Sequence, residues 1–194
     1  IRDPEMSRGL GDVYKRQLTE DEVKELTSKT YGAYIAVQSD PNYIFRNDWE
    51  EASYGRDADN DVFSKLAKTN SDGTITDYGA TFEDAVISGN GTYTCSMTTG
   101  DMGFGEDTAF HFFRVSTDIP SKLVKEGYVT ISDVTIKIGE GKTQSGVVVD
   151  TSGDWVKLIV EDNYNNIKAD GVVLTVPAPN TTTVFTFTVS GLAE

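Results

Sequence analysis

Val184-Phe185-Thr186-Phe187-Thr188-Val189 alternates apolar and polar residues without a break. In extended chain successive side chains point to opposite faces. Phe185, Phe187 and Val189 therefore share one face, and Thr186 and Thr188 the other. A strand that is dry on one side and wet on the other belongs in an antiparallel sheet lying on a core. The same period of two governs residues 31–38, where Tyr31, Ala33, Ile35 and Val37 oppose Tyr34, Ala36 and Gln38. After the turn Asp40-Pro41-Asn42, residues 43–49 read as a second strand. Further strands are expected over 82–88, 91–98, 109–116, 128–138, 145–149, 155–161 and 172–176. The connections carry turn chemistry, as in Ser88-Gly89-Asn90-Gly91, Gly139-Glu140-Gly141-Lys142 and Ser152-Gly153-Asp154. Many short strands without intervening helices predict an all-β fold, an antiparallel, jelly-roll-like β-sandwich. Its predicted core contains Ile35, Val37, Phe112, Val156, Leu158, Phe185 and Phe187, with Phe113 competing with Phe112 for the inward face. Residues 50–81 are rich in Asp, Asn and Gly and read as a long loop, with a helical turn near 62–66.

One short helix precedes the strands. Thr19-Glu20-Asp21-Glu22 has the spacing of a capping box, and Leu18 and Val23 stand where a hydrophobic staple would sit. Residues 18–30 are read as this helix and a linker, and 31–194 as the sandwich domain.

Residues 1–17 stand apart. Asp12-Val13-Tyr14-Lys15-Arg16-Gln17 resembles the translation of the transposase mosaic-end adaptor used to fragment sequencing libraries, and Ile1-Arg2-Asp3 resembles the same adaptor in another frame. The tail is therefore expected to be non-native, with the true N-terminus and any signal peptide lost upstream. Its deletion is expected to leave the melting temperature unchanged.

The 194 residues carry 17 Lys+Arg against 31 Asp+Glu, a formal net charge of −14. Nucleic acids and anionic membrane surfaces both attract clustered cations, so this balance argues against either partner. No stretch reaches the 18 or so apolar residues of a membrane span. With one cysteine and one histidine, the chain can form neither an internal disulfide nor a Cys/His zinc cluster. Cys95 is expected to be a small buried side chain of a strand, and His111 a structural or face-exposed residue rather than a catalytic base.

A resemblance runs through Tyr31-Gly-Ala-Tyr34, Phe45-Arg-Asn-Asp-Trp49, Ser53-Tyr-Gly55, Gly89-Asn-Gly-Thr-Tyr93, Phe112-Phe-Arg-Val-Ser-Thr-Asp-Ile119 and Phe185-Thr-Phe-Thr-Val-Ser-Gly191. Over residues 31–191 the chain resembles the carbohydrate-binding-module-like β-sandwich domains of secreted multi-domain surface proteins of anaerobic gut-type bacteria. The resemblance implies a non-catalytic, extracellular or cell-surface module attached to other domains of one parent chain. It transfers no ligand-binding residue.

Candidate ligand residues follow from the chemistry of sugars instead. A pyranose offers an apolar C–H face to an aromatic ring and hydroxyls to forked polar side chains. Tyr34, Trp49, Tyr54 and Trp155 are candidate platforms, Tyr164 a further one, and Arg46 and Asn47 candidate forks. For Trp155, which is read as sharing a face with Lys157 and Glu161, the plainer alternative is an edge ring covering a core. The expected ligand is a neutral or cationic polysaccharide. Asp57-Ala-Asp59-Asn-Asp61 spaces carboxylates as the first half of a calcium loop does, but Val62 and Lys68 stand where an EF-hand needs Gly and Glu. A looser calcium site and a solvated acidic loop both remain open. Two readings compete with carbohydrate binding: a structural or adhesive spacer that binds no sugar, and a jelly-roll glycoside hydrolase, which needs two close carboxylates.

Overall fold

A computed structural model describes residues 17–40, 45–46, 66–105 and 108–193. Residues 1–16 of the adaptor-like tail 1–17, the calcium-like carboxylates Asp57, Asp59 and Asp61, and residues 62–65 of the expected helical turn lie outside them.

The protein is an antiparallel β-sandwich with a short N-terminal helix, α1 (Glu20–Thr27). The capping box forms as the sequence predicts: the Thr19 amide donates to Glu22 Oε2 at 2.8 Å, and the Glu22 amide donates to Thr19 Oγ1 at 3.3 Å. The helix is tied to the sandwich at several points. Leu18 N–H donates to Glu126 Oε2, Tyr31 Oη–H to the Leu26 carbonyl, and Ala193 N–H to the Thr27 carbonyl.

The strands are β1 (Tyr31–Asp40), β2 (Phe45–Arg46), β3 (Ala67–Thr69), β4 (Ile75–Asp77), β5 (Thr81–Glu83), β6 (Ala85–Ile87), β7 (Gly91–Thr98), β8 (Ala109–Pro120), β9 (Thr130–Ile138), β10 (Gln144–Ser145), β11 (Val148–Asp150), β12 (Trp155–Asp162), β13 (Ile167–Lys168) and β14 (Thr182–Ser190). The larger sheet runs β11-β12-β8-β1-β2-β3-β4, with β13 beside β12 and β6 beside β1; the smaller runs β10-β9-β14-β7-β5. Chain neighbours are often not sheet neighbours, since β8 lies beside β1 and β14 lies between β7 and β9. Such crossovers between sheets are the property that sandwiches of the jelly-roll kind share.

The core lies between the sheets. Ile35, Val37, Phe113, Val115, Val156 and Leu158 of the larger sheet meet Cys95, Met97, Ile136, Phe185, Phe187 and Val189 of the smaller. Phe113 and Phe185 stack across the interface at 6.1 Å between centroids. Cys95 is fully buried, its thiol 3.3 Å from the Ala33 carbonyl.

Several expectations need correction. Phe112 is buried but lies outside this core, and Phe113 takes the inward position. Residues 82–88 are not one strand: β5 pairs with β7 in the smaller sheet and β6 with β1 in the larger, so the chain crosses between layers at Asp84. The segment read as loop carries the hairpin β3–β4. Its turn is closed by Asn70 N–H donating to the Thr74 carbonyl at 2.7 Å, with Gly73 at φ +84°. Residues 172–176 form no strand. Both backbone polar groups of Val173 are taken by the Gln144 side-chain amide, at 2.8 and 3.1 Å, instead of by a neighbouring strand. A second short helix, α2 (Ser121–Lys125), follows Pro120 and buries Leu123.

Among the described residues no helix is long and apolar enough to cross a membrane.

Candidate functional site

Because Ile35, Val115 and Leu158 point into the core, their neighbours along β1, β8 and β12 face outward. The register then lays out a grid on the outer face of the larger sheet. Lys157, Ser116 and Tyr34 form one row, Ile159, Arg114 and Ala36 the next, and Asp162, Phe112 and Gln38 the third.

The middle of this face is dry. Ala36, Phe112 and Ile159 are buried, and so are Gln38, Arg114, Ser116 and Asp162. Arg114 Nη1 reaches Asp162 Oδ2 at 2.7 Å, with the two side chains 4% and 1% exposed. The guanidinium lies over the Phe112 ring, 4.0 Å from its centroid. Asp162 also accepts from the Asn165 backbone and side-chain amides, at 3.2 and 3.1 Å. Buried charge of this kind persists only where partner and hydrogen bonds are both in place.

Asp162 reaches this position through a bulge. The register shifts between Ile159 and Glu161, so Asp162 and not Glu161 lies across from Phe112. The simple alternation expected for β12, with Trp155, Lys157 and Glu161 on one face, therefore fails at its last member. The sequence carries a faint signal for the ion pair: Arg114 is the lone cation within the otherwise apolar run Phe112–Val115.

Rings stand at both ends of the face. Trp155, across from Pro120 at the start of β12, is 51% exposed. Tyr34 is half-buried in the row of Lys157, two strands away, which is about 10 Å at the usual strand spacing. At the far end Tyr164 is 54% exposed. Its hydroxyl donates to Gln38 Oε1 at 3.1 Å, and its ring stacks on His111 at 5.5 Å between centroids. The turn carrying Tyr164 is fixed by Asn163, whose side-chain amide donates to the Phe110 carbonyl and whose backbone amide donates to the His111 carbonyl, both at 2.8 Å. The length of β12 separates Trp155 from Tyr164 by roughly 23 Å at about 3.3 Å per residue. A ligand that engages both must be a chain.

Of the six candidate ligand residues, the fold brings Tyr34 and Trp155 to one face. Arg46 is placed by its backbone, in β2 across from Val37. Asn47, Trp49 and Tyr54 lie outside the described residues. Among the described residues no group of three or more His, Cys, Asp or Glu is arranged to hold a metal ion.

Fold and face together define an all-β, two-sheet sandwich with an aromatic-edged outer surface. Compared with protein-family models, curated proteins and solved structures, the chain matches none.

Proposed function

We propose that this chain is a non-catalytic carbohydrate-binding module of a larger extracellular protein, gripping a neutral or cationic polysaccharide by aromatic platforms and polar forks. The observation that carries this reading is the exposed Trp155 ring on the outer face of the larger sheet, two residues along β12 from Lys157, whose row also holds the half-buried Tyr34. An exposed indole is costly to leave in water, and against the C–H face of a pyranose it loses that cost. Lys157 supplies donors for the hydroxyls around the same ring. Arg46 and Asn47 enter the proposal as candidate forks, and Trp49 and Tyr54 as further platforms, on the chemistry of their side chains alone.

The spacer reading has its own support. The middle of the same face is buried and held by an ion pair, as suits a module that transmits force or fixes neighbours. A glycan array probed with the whole chain separates the two. Binding to one family of polysaccharides supports the module, and silence across the array supports the spacer.

A further inference from the structure

The outer side of the smaller sheet has a cleft of about 410 Å³. Its floor is the end of β14 and β9, where Thr182 and Val184 lie beside Lys137; its walls are Gly139-Glu140 and Asn180-Thr181. The volume falls in the lower part of the range of small-molecule clefts, roughly 300–1,000 Å³, and suits a single sugar ring better than a chain.

These walls are rigidly built. The Thr99 amide donates to the Thr181 carbonyl at 3.1 Å, and Thr99 Oγ1 donates to the Ala178 carbonyl at 2.5 Å while accepting from the Thr181 amide at 2.9 Å. Gly139 N–H donates to the Thr182 carbonyl at 2.8 Å, and Asn180 Nδ2 to Asp101 Oδ1 at 3.0 Å. The loops also approach too closely for side chains. A Cβ on Gly103 would come within 2.8 Å of the Pro179 nitrogen, and one on Gly139, at φ +52°, within 3.0 Å of the Thr181 methyl. A surface that needs little ordering on binding keeps more of its contact energy as affinity.

The lining chemistry is that of a polyol site. Lys137 and Glu140 are both exposed and of opposite sign, so the cleft has no net charge to offer an ion. On a chain of net charge −14, an anion would be repelled at long range. A cation and a carboxylate facing one cavity are complementary to a diol, whose hydroxyls both accept and donate, and charged partners strengthen such hydrogen bonds. Val184 supplies apolar surface, and the Asn180 amide, donating to Asp101, keeps its oxygen as acceptor. Of the lining hydroxyls, Thr182 is bonded to Thr98 of β7 at 2.8 Å.

We infer that this cleft is a second sugar subsite, taking one neutral pyranose unit through vicinal hydroxyls held by Lys137 and Glu140 over Val184. The inference rests on the carbohydrate reading above but uses none of its residues. The test is amide-resolved NMR on the whole chain, titrated separately with the methyl β-glycosides of glucose, galactose and xylose and with methyl α-mannoside. At least one glycoside should give saturable shifts at the Gly139, Glu140, Thr181 and Thr182 amides. The double variant Lys137→Ala/Glu140→Ala should weaken it about tenfold or more, as loss of hydrogen bonds to charged groups does. Both side chains are exposed, so the melting temperature should hold, and Trp155→Ala should leave the cleft shifts intact. Saturable shifts confined to the surroundings of Trp155 and Tyr34 overturn the cleft and leave the module reading standing. So do cleft shifts that the double variant does not weaken. Failure of every glycoside and every polysaccharide to bind overturns both.

Discussion

Arg114 and Asp162, 48 residues apart in sequence, meet at 2.7 Å as a buried ion pair on the outer face of the larger sheet. The contact joins β8 to β12, and the Phe112 ring beneath the guanidinium keeps the pair out of water. Removing one partner leaves the other charge buried with part of its solvation lost. Arg114→Leu or Asp162→Leu should each cost about 3–5 kcal/mol. The double variant should cost clearly less than the sum of the two, because no orphan charge remains. Urea unfolding of the four proteins measures this; additive costs would show that the pair does not act as a unit.

Phe187 is fully buried between the sheets, so Phe187→Ala should lower stability by about 3–5 kcal/mol. Phe113→Ala should fall in the same range, since Phe113 also stacks on Phe185. A cost below about 1 kcal/mol for either, read from denaturant midpoints at constant slope, would contradict the packing described.

The strands were legible where one face is dry and the other wet. That is why 91–98 and 184–189 read correctly; 31–38 read correctly from its alternating core face although Ala36 and Gln38 on the other face are buried too. Bulges defeated the same rule. The shift after Ile159 turns Asp162 outward to Arg114, and the one between Gln38 and Ser39 offsets β1 against β8 at His111. No local pattern announces an extra residue in a ladder. The 172–176 stretch failed differently: its alternation is real, but Gln144 occupies the backbone groups a strand would need. At the candidate site, Trp155 was legible as an outward ring because Val156 and Leu158 fix its parity. The buried centre of that face was not, since only the register brings Arg114, Phe112 and Asp162 together.

Burial raises the Tyr31 hydroxyl above its ordinary pKa of 10.0, and the charge of Asp118 adds to the shift. The folded state therefore holds this proton more tightly than the unfolded chain does. Its contribution to stability is complete below pH 10 and declines as pH rises above it. Tyr31→Phe should cost about 1 kcal/mol at neutral pH by losing the 2.6 Å bond to the Leu26 carbonyl. It should also make the alkaline decline shallower, with Tyr78, raised by burial as well, keeping part of it. Thermal melts between pH 7 and 11 report both effects; an unchanged alkaline slope would remove Tyr31 from the account.

Arg46→Lys tests the polar fork separately from charge. An ammonium keeps the cation and loses the planar array of donors, so polysaccharide affinity should fall while the melting temperature holds. Equal affinity for both side chains would take Arg46 out of the proposed site.

The measurement that bears most directly on carbohydrate binding is the affinity of the whole chain and its Trp155→Ala variant for a neutral polysaccharide, each at low and physiological salt. An indole acting through its desolvated face should account for about a tenfold loss in the variant, within the range of buried aromatic contacts. Raising salt should change little, because the contact does not depend on charges screened over about 8 Å. Full affinity in Trp155→Ala together with steep weakening by salt would contradict the module reading and favour an adhesive surface.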